Sequence, residues 1–371
     1  MKFTVNSSDL QRVLSKIGGV IPSKSTMPML ENMLFDVIND RLTVTATDLE
    51  ISLTAWLEVK GYEDGRIAIP AKRLIDTVRA LADSPMTIFA EPTTHKVTIT
   101  TSNGQYGLTG ESAKEFPPAP EFQSTTEFTM ESVTLRRIIH QTAFAVSTDE
   151  LRPAMMGVLL QAKGSELRVV STDGHRLVKL ALNIPQGASL KRDIIVPAKA
   201  LHLVGRSLEG GNSTISISDT HVKFGFDSTV LVSRLIDETY PNYDSVIPRD
   251  NDKTMTVNRN AILASLRRVA LYASATTHQV RFAADGSALT IMAQDIDFGG
   301  EAKETIECEY IGDRLEIGFN SNYIVDILSH LESDQASFKF STPTRAGVIA
   351  PAAPHQGEDV LMLVMPVRLN A

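Results

Sequence analysis

Ala46-Thr47-Asp48-Leu49-Glu50 returns as Ser171-Thr172-Asp173-Gly174-His175 and again as Ala293-Gln294-Asp295-Ile296-Asp297. The aspartates at 48, 173 and 295 are 125 and 122 residues apart. A second phrase keeps the beat: Ile69-Pro70-Ala71-Lys72-Arg73-Leu74, Val196-Pro197-Ala198-Lys199-Ala200-Leu201, Phe319-Asn320-Ser321-Asn322-Tyr323-Ile324. Phe3-Thr4-Val5, Phe128-Thr129-Met130 and Met255-Thr256-Val257 open each unit, and Phe116-Pro117, Tyr240-Pro241 and Met365-Pro366 close it. Four phrases in one order at one period predict three copies of one domain, over residues 1–120, 126–248 and 252–371. The period exceeds the 20–50 residues of solenoid repeats, so each copy is a whole domain with its own core.

The first copy is readable in order. Phe3–Val5 is a strand; Ser7 or Ser8 caps a helix to Gly18 with Leu10, Val13, Leu14 and Ile17 on one face. Strand patterns follow at 33–37, 41–47, 51–59 and 66–69. Pro70 opens a second helix to Ala82, and strands at 87–90, 97–101 and 106–109 close the unit. Each copy thus has two halves, each a strand, a helix and further strands. The fold class is α+β, with antiparallel sheet on one side of each domain and two helices on the other. The equivalent helices fall at 131–145, 198–208, 258–272 and 320–331, and linkers at 116–125 and 240–252.

The chain has 371 residues, 43% of them hydrophobic, as in an ordinary soluble protein. No apolar run approaches the roughly 18 residues that span a bilayer, so no membrane partner is expected. The single cysteine, Cys308, forms no internal disulfide, which points to a reducing cytoplasm.

The net charge of −8 argues against nucleic acid until its distribution is read. The six helices hold twelve basic residues and four acidic ones, +8; the rest of the 36 basic and 44 acidic residues leaves −16 elsewhere. Cations on a repeated element of an acidic chain suit a surface that follows phosphates without reading bases. Aromatics are 6% of residues and few lie among the basic ones, which disfavours single-strand binding.

Asp173-Gly174-His175-Arg176 invites a catalytic reading, but no nucleophile or third partner accompanies it. Copies one and three place Leu49-Glu50 and Ile296-Asp297 where Gly174-His175 stands, so the recurring aspartate reads as a turn device. Asp48 with Glu50, or Asp295 with Asp297, would lack a third metal ligand. No phosphate loop, dinucleotide fingerprint, C-x-x-C or H-E-x-x-H occurs. Neither catalytic residues, nor a metal, nor a cofactor is expected. His175 departs from the repeat in one copy only, which marks a candidate unique site.

Ser171-Thr172-Asp173-Gly174-His175-Arg176-Leu177, Ile195-Val196-Pro197-Ala198-Lys199, Tyr240-Pro241-Asn242-Tyr243 and Val364-Met365-Pro366-Val367-Arg368-Leu369 resemble the bacterial sliding clamps, the beta subunits of the replicative DNA polymerase III holoenzyme. The resemblance covers essentially the whole chain. It implies a non-catalytic processivity factor in the cytoplasm, at the nucleoid, forming a head-to-tail homodimeric ring of six domains around double-stranded DNA, helices inside and sheet outside. Its implied partners are the polymerase alpha subunit, the clamp loader and other clamp-motif proteins of replication and repair. By position, the partner-peptide pocket comprises Met155, Thr172, Gly174, His175, Arg176, Leu177, Pro241, Val246, Leu363, Val364, Met365, Pro366, Val367, Arg368 and Leu369. DNA contacts fall to Lys24, Arg73, Arg79, Arg136, Arg137, Lys199, Arg206 and Arg267, and the dimer contact to Tyr106 and Leu108 against Leu271 and Tyr272. Three departures concern the pocket: Ser245 stands where some members have arginine, Arg152-Pro153-Ala154 lacks aromatics, and Asn370-Ala371 extends past Leu369.

Helix spacing supports two chains per ring. At about 8–10 Å between packed axes, six helices in a closed circle leave no room for a duplex roughly 20 Å wide, whereas twelve leave roughly 25 Å clear. A triplicated scaffold that binds proteins without encircling DNA, and an enzyme built on repeats, are the alternative readings.

Overall fold

The computed structural model describes residues 1–183 and 190–369; Asn370-Ala371 lies outside the described residues. Copy one runs β1 (Lys2–Asn6), α1 (Ser7–Ile17), β2 (Asn32–Ile38), β3 (Arg41–Thr47), β4 (Ile51–Glu58), β5 (Lys60–Glu63), β6 (Gly65–Pro70), α2 (Ala71–Ala80), β7 (Pro85–Ala90), β8 (Lys96–Thr100), β9 (Gln105–Thr109). Copy two runs β10 (Thr126–Glu131), α3 (Ser132–Thr142), β11 (Gly157–Lys163), β12 (Glu166–Thr172), β13 (Arg176–Asn183), β14 (Ile194–Pro197), α4 (Ala198–Ser207), β15 (Asn212–Ile217), β16 (His221–Phe226), β17 (Thr229–Arg234). Copy three runs β18 (Lys253–Asn258), α5 (Arg259–Val269), β19 (Gln279–Asp285), β20 (Ala288–Asp295), β21 (Gly300–Glu307), β22 (Glu309–Ile311), β23 (Leu315–Asn320), α6 (Ser321–His330), β24 (Gln335–Phe340), β25 (Gly347–Pro351), β26 (Glu358–Val364). Among the described residues no helix is long and apolar enough to cross a membrane.

The strands join in a way the repeat alone does not announce. Two compact units form, and copy two is divided between them. The first holds residues 1–136 and 199–235. Its five-stranded sheet has the order β5-β1-β7-β8-β9, and its eight-stranded sheet the order β10-β15-β16-β17-β4-β3-β2-β6. The second holds residues 137–183, 190–198 and 236–369, with a nine-stranded sheet β14-β11-β12-β13-β26-β25-β24-β18-β22 and a four-stranded sheet β21-β20-β19-β23. Neighbouring copies therefore share sheets: β17 pairs with β4 in one unit and β13 with β26 in the other, both antiparallel.

The apolar face expected of α1 is the buried one, and α2 and the strands bury a face in the same way. Leu10, Leu14 and Ile17 of α1 and Leu74 and Val78 of α2 are buried. Phe3, Phe35, Phe224, Phe282, Phe319 and Phe338 are fully buried on the strands. Each such side chain contributes on the order of 1.5–3 kcal/mol relative to exposure.

Two local expectations are corrected. Ser7 does not cap α1: Asn6 is the N-cap, without a side-chain bond, and Ser7 Oγ donates to the Ala82 carbonyl (2.9 Å) and accepts from Ser84 N–H (3.1 Å). That bond ties α1 to the end of α2. The expected strand 51–59 is bounded one residue earlier, at Glu58, although Val59 N–H still continues the β3–β4 ladder to the Asp40 carbonyl before the chain crosses to pair β5 with β1. Gly61 permits the crossing, since a Cβ there would stand 2.3 Å from the Asn39 carbonyl oxygen.

Candidate functional site

The three aspartates build one turn three times. Asp48 Oδ1 accepts from the N–H groups of Glu50 (3.1 Å) and Ile51 (2.7 Å); Asp173 Oδ1 from those of His175 (2.8 Å) and Arg176 (2.9 Å); Asp295 Oδ1 from those of Asp297 (3.0 Å) and Phe298 (3.3 Å). A carboxylate closing its own strand end satisfies backbone donors that the turn leaves free. In copies one and two the preceding threonine braces the turn from behind, Thr47 Oγ1 to the Ile51 carbonyl and Thr172 Oγ1 to the Arg176 carbonyl. Residue 174 lies at φ +89°, a region glycine enters without strain; Leu49 occupies it at φ +78°.

Copy two loads this turn with side chains that reach outward. Asp173 Oδ2 accepts from Arg176 Nε (3.1 Å). The same guanidinium donates to Asp326 Oδ2 (2.6 Å) and the Phe144 carbonyl (3.1 Å). It also lies over the rings of Phe144 and Tyr323, 5.3 and 5.0 Å from their centroids. Arg176 is thus a hub that fixes β13 against α6, with each of its three nitrogens engaged in a hydrogen bond. His175 is exposed and stacks on Tyr323 at 5.7 Å. Burial, followed by the nearby Asp173, raises the Tyr323 phenol above its ordinary pKa, so the ring stays neutral. Beneath the hub His330 stacks face to face on Phe144 at 4.0 Å, and burial lowers its pKa.

The tail is seated beside this turn. Arg176 pairs with Val364 and Leu177 with Leu363 in the β13–β26 ladder, and Met365 N–H continues it to the His175 carbonyl (2.8 Å). Val367 N–H then donates to the Gly318 carbonyl (2.9 Å). A Cβ on Gly318 would stand 2.7 Å from Leu369 and 2.8 Å from the Val367 carbonyl oxygen, so glycine is what lets the tail approach. Leu177 and Leu363 belong to one buried cluster with Leu159, Val170, Ile195, Tyr243 and Ala346, against which Ala154, Ile236, Tyr240, Ile247 and Leu361 pack. Val246, just after Tyr243, and Met365 stay exposed, 54% and 42%, above that floor.

The structure therefore brings together Thr172, Gly174, His175, Arg176, Leu177, Leu363, Val364 and Met365 directly, and Val367 and Leu369 through Gly318. Met155 is buried beside Ala154, Pro366 is half-buried, and Pro241 and Arg368 are exposed. Ser245 donates to the Asn242 carbonyl (2.7 Å).

The cationic candidates divide. Lys24, Arg73, Arg79, Arg136, Arg206 and Arg267 are exposed; Arg267 reaches Ser329 Oγ at 3.4 Å and Arg79 approaches Asp76 at 4.0 Å. Lys199 is exposed but bonded to Asp48. Arg137 is mostly buried and bonded to Glu358, itself 5% exposed, so its charge is committed to an internal contact. Of the dimer candidates, Leu271 and Tyr272 are 80% and 48% exposed, Tyr106 40%, and Leu108 is buried on the edge strand β9. Ile296 and Phe298, 81% and 88% exposed, escaped the sequence reading because the first rides inside the repeated aspartate phrase and the second directly follows it. Apolar residues in a polar turn were the available signal. A cavity of about 1230 Å³ opens beside α2 and β9, lined by Ile75, Ala80, Leu81, Tyr106 and Leu108 among others. Among the described residues no three His, Cys, Asp or Glu side chains converge as a metal site.

Comparison with known proteins agrees with this geometry. Residues 1–120, 129–242 and 244–368 match the N-terminal, central and C-terminal domain models of the DNA polymerase III beta subunit. The chain is 30% identical to the beta sliding clamp of Chlamydia muridarum over 371 residues and 29% identical to that of Escherichia coli K12 over 373, each along the full length of both proteins. It superposes with a TM-score of 0.93 on the sliding clamp (DNA polymerase III subunit beta) of Bartonella birtlesii and 0.92 on that of Pseudomonas aeruginosa. Both were solved bound to griselimycin, both are 30% identical, and all chains are covered in full. A threefold domain repeat with shared sheets, matched over its whole length by these proteins, places the chain in the DNA polymerase III beta subunit family, the bacterial sliding clamps.

Proposed function

We propose that the chain acts as a non-catalytic processivity clamp, closing as a head-to-tail homodimer around duplex DNA and tethering the polymerase and other partners. The observation that carries the ring is the strand order. Equivalent columns cross one half of each copy: Phe3-Ile88-Ile99-Tyr106, Phe128-Ile215-Phe224-Leu231 and Met255-Phe338-Ile349-Met362. The other half repeats as Ile67-Phe35-Val44-Ala55, Ile194-Leu160-Val169-Leu180 and Ile317-Phe282-Ile291-Glu304. These columns make β9, β17 and β26 equivalent, and likewise β4, β13 and β21. The chain itself joins β17 to β4 and β26 to β13. Left over are β9 and β21, and only a second copy can pair them. A heterologous contact that closes after two copies gives a ring without free sheet edges at these positions.

The register follows from the internal seams. Leu231 faces Leu53, and Met362 faces Val178. Tyr106 then faces Ala302 of a second copy, and Gln105 faces Lys303. Exposed Leu271, Tyr272, Ile296 and Phe298 lie at the β21 end, and the cavity beside α2 and β9 receives the helix end that carries Leu271 and Tyr272. The domain boundaries 1–120, 126–248 and 252–371 describe these copies. In the cytoplasm, at the nucleoid, the exposed loop cation Lys24 and the helix cations Arg73, Arg79, Arg136, Arg206 and Arg267, with Lys199, form weak, sequence-independent phosphate contacts. The turn of His175 and the tail from Leu363 to Leu369 hold a short peptide from the polymerase alpha subunit, the clamp loader or other clamp-motif proteins, in a groove floored by Leu177, Leu363 and Tyr243.

Cysteine cross-linking tests the reading. In a Cys308→Ser background, Gln105→Cys with Lys303→Cys oxidises to a covalently closed dimer, because facing Cβ atoms about 4.5–5.5 Å apart lie near disulfide reach. Gln105→Cys with Glu301→Cys, out of register by two residues, cross-links far less. Equal yields from both pairs, or none from either, contradict the proposed pairing.

A further inference from the structure

The seam between protomers differs in chemistry from the two seams inside the chain. At each internal seam a base near the end of a copy's first helix meets a glutamate just past the end of the next copy's second helix. Lys16 Nζ lies 2.6 Å from Glu209, and His140 Nδ1 lies 4.0 Å from Glu332. Helices α1, α3 and α5 have eleven residues each, which aligns Lys16 with Gln141 and Arg268, and Ser15 with His140 and Arg267. Helices α2, α4 and α6 have ten each, which aligns Glu209 and Glu332 with Ala82. The backbone supports this alignment: Ser84, Gly211 and Asp334, two residues further on, accept equivalent bonds from Ser7, Ser132 and Arg259. Across the third seam the arginines therefore find alanine where the others find glutamate. Asp83 takes the place of Gly210 and Ser333.

Arg268 turns inward instead. Its Nε and NH2 donate to the two oxygens of Glu304, at 2.7 and 2.6 Å. Glu304 stands on β21 where the internal seams have Ala55 and Leu180, 1% and 0% exposed. The inward row of the edge strand reads Gly300, Ala302, Glu304, Ile306, against Ile51, Leu53, Ala55, Leu57 and Arg176, Val178, Leu180, Leu182 at the internal seams. The third row is the only one with a carboxylate, and it is the smallest in side-chain volume.

Resting on the head-to-tail reading above, we infer that the Arg268–Glu304 pair is the element that keeps the protomer seam separable: it holds within one subunit the charges that an internal seam either bonds across or replaces with packed side chains. Such a pair, partly solvated while the ring is open, has to be desolvated when the ring closes, which lowers the net gain of closing. Exchange of protomers between differently labelled fluorescent dimers measures separability directly. Arg268→Gln with Glu304→Leu, copying Gln141 and Leu180, lengthens the exchange half-time at least about tenfold and flattens its dependence on salt. Ala82→Glu, an exposed change far from Glu304 in sequence, supplies the missing partner and lengthens the half-time at least about threefold at low salt, an effect that high salt removes. Unchanged or faster exchange in either variant, with the thermal melt of the protomer intact, overturns the role of the pair while leaving the dimer standing. A wild-type chain that is monomeric at every concentration overturns the head-to-tail reading itself and this inference with it.

Discussion

The turn at Asp173 and the turn at Asp295 share a frame and diverge in what they present. Both aspartates cap two backbone N–H groups through one oxygen. In the first, the second oxygen holds Arg176, whose guanidinium engages Asp326, Phe144 and Tyr323, and the exposed His175 lies next to a seated tail. In the second, the turn lifts Ile296 and Phe298 into solvent, 81% and 88% exposed. One backbone device thus carries a bonded guanidinium beside the seated tail in one copy and an exposed apolar pair in another. The backbone hydrogen bonds say where a side chain is aimed; the residue riding there says what it meets. A duplicated domain acquires separate sites this way without altering its fold.

The sharpest way to break the comparison is to charge the apolar edge. Leu271→Asp with Phe298→Asp removes two exposed apolar contacts worth on the order of 1.5–3 kcal/mol each, so the dimer dissociation constant rises by about a hundredfold or more. Sedimentation equilibrium reads this, with the melt of the protomer unchanged. A dimer as tight as wild type would remove the Asp295 turn from the interface.

Next in size is the paired test of the two aspartates. Asp173→Ala leaves two backbone donors and a partly buried guanidinium without their acceptor, at a cost of about 2–4 kcal/mol, and weakens binding of a polymerase-derived peptide more than about tenfold. Asp295→Ala, on an exposed turn, costs about 1 kcal/mol or less and leaves peptide affinity alone. Calorimetric melts and fluorescence anisotropy check both; equal effects from the two would show that the turns are not specialised.

His175→Ala is gentler. It removes an exposed ring stacked on Tyr323, and peptide affinity falls about threefold to tenfold; with deletion of Met365–Ala371 it falls further while the dimer persists. Unchanged peptide affinity in the double alteration would take these residues out of the site.

The smallest effect is a pH dependence beneath the rim. Burial holds the His330 pKa below its ordinary value of 6.5. The unfolded chain therefore binds that proton more readily than the folded one. The stability is fully present above about pH 6.5 and is lost as pH falls through the depressed folded value. His330→Phe keeps the stack on Phe144 and flattens the fall in denaturant midpoint between neutral and mildly acidic pH. An identical pH profile in the variant would exclude His330 as the titrating group.

Much of this organisation was legible in the sequence because it is local. The copies, the six helices and the aspartate turns rest on short-range periodicity and on side chains that bond their own backbone. The division of copy two between sheets was not, since nothing in the span of β17 names β4 as its neighbour. Nor were the fates of Arg137 and Lys199. Both look like free cations on a helix, yet they bond Glu358 and Asp48, 221 and 151 residues away in sequence. Crossing strands and distant ion pairs are tertiary facts with no sequence period to reveal them.

The central claim is topological: retention comes from encirclement, with phosphate contacts too weak to hold the protein alone. The direct measurement is the lifetime of the protein, once assembled on DNA, on closed circular duplex and on the same duplex linearised, at low and high salt. The account predicts long retention on circles with little salt dependence, and rapid loss from the linear ends. Equal loss from circular and linear DNA would contradict it.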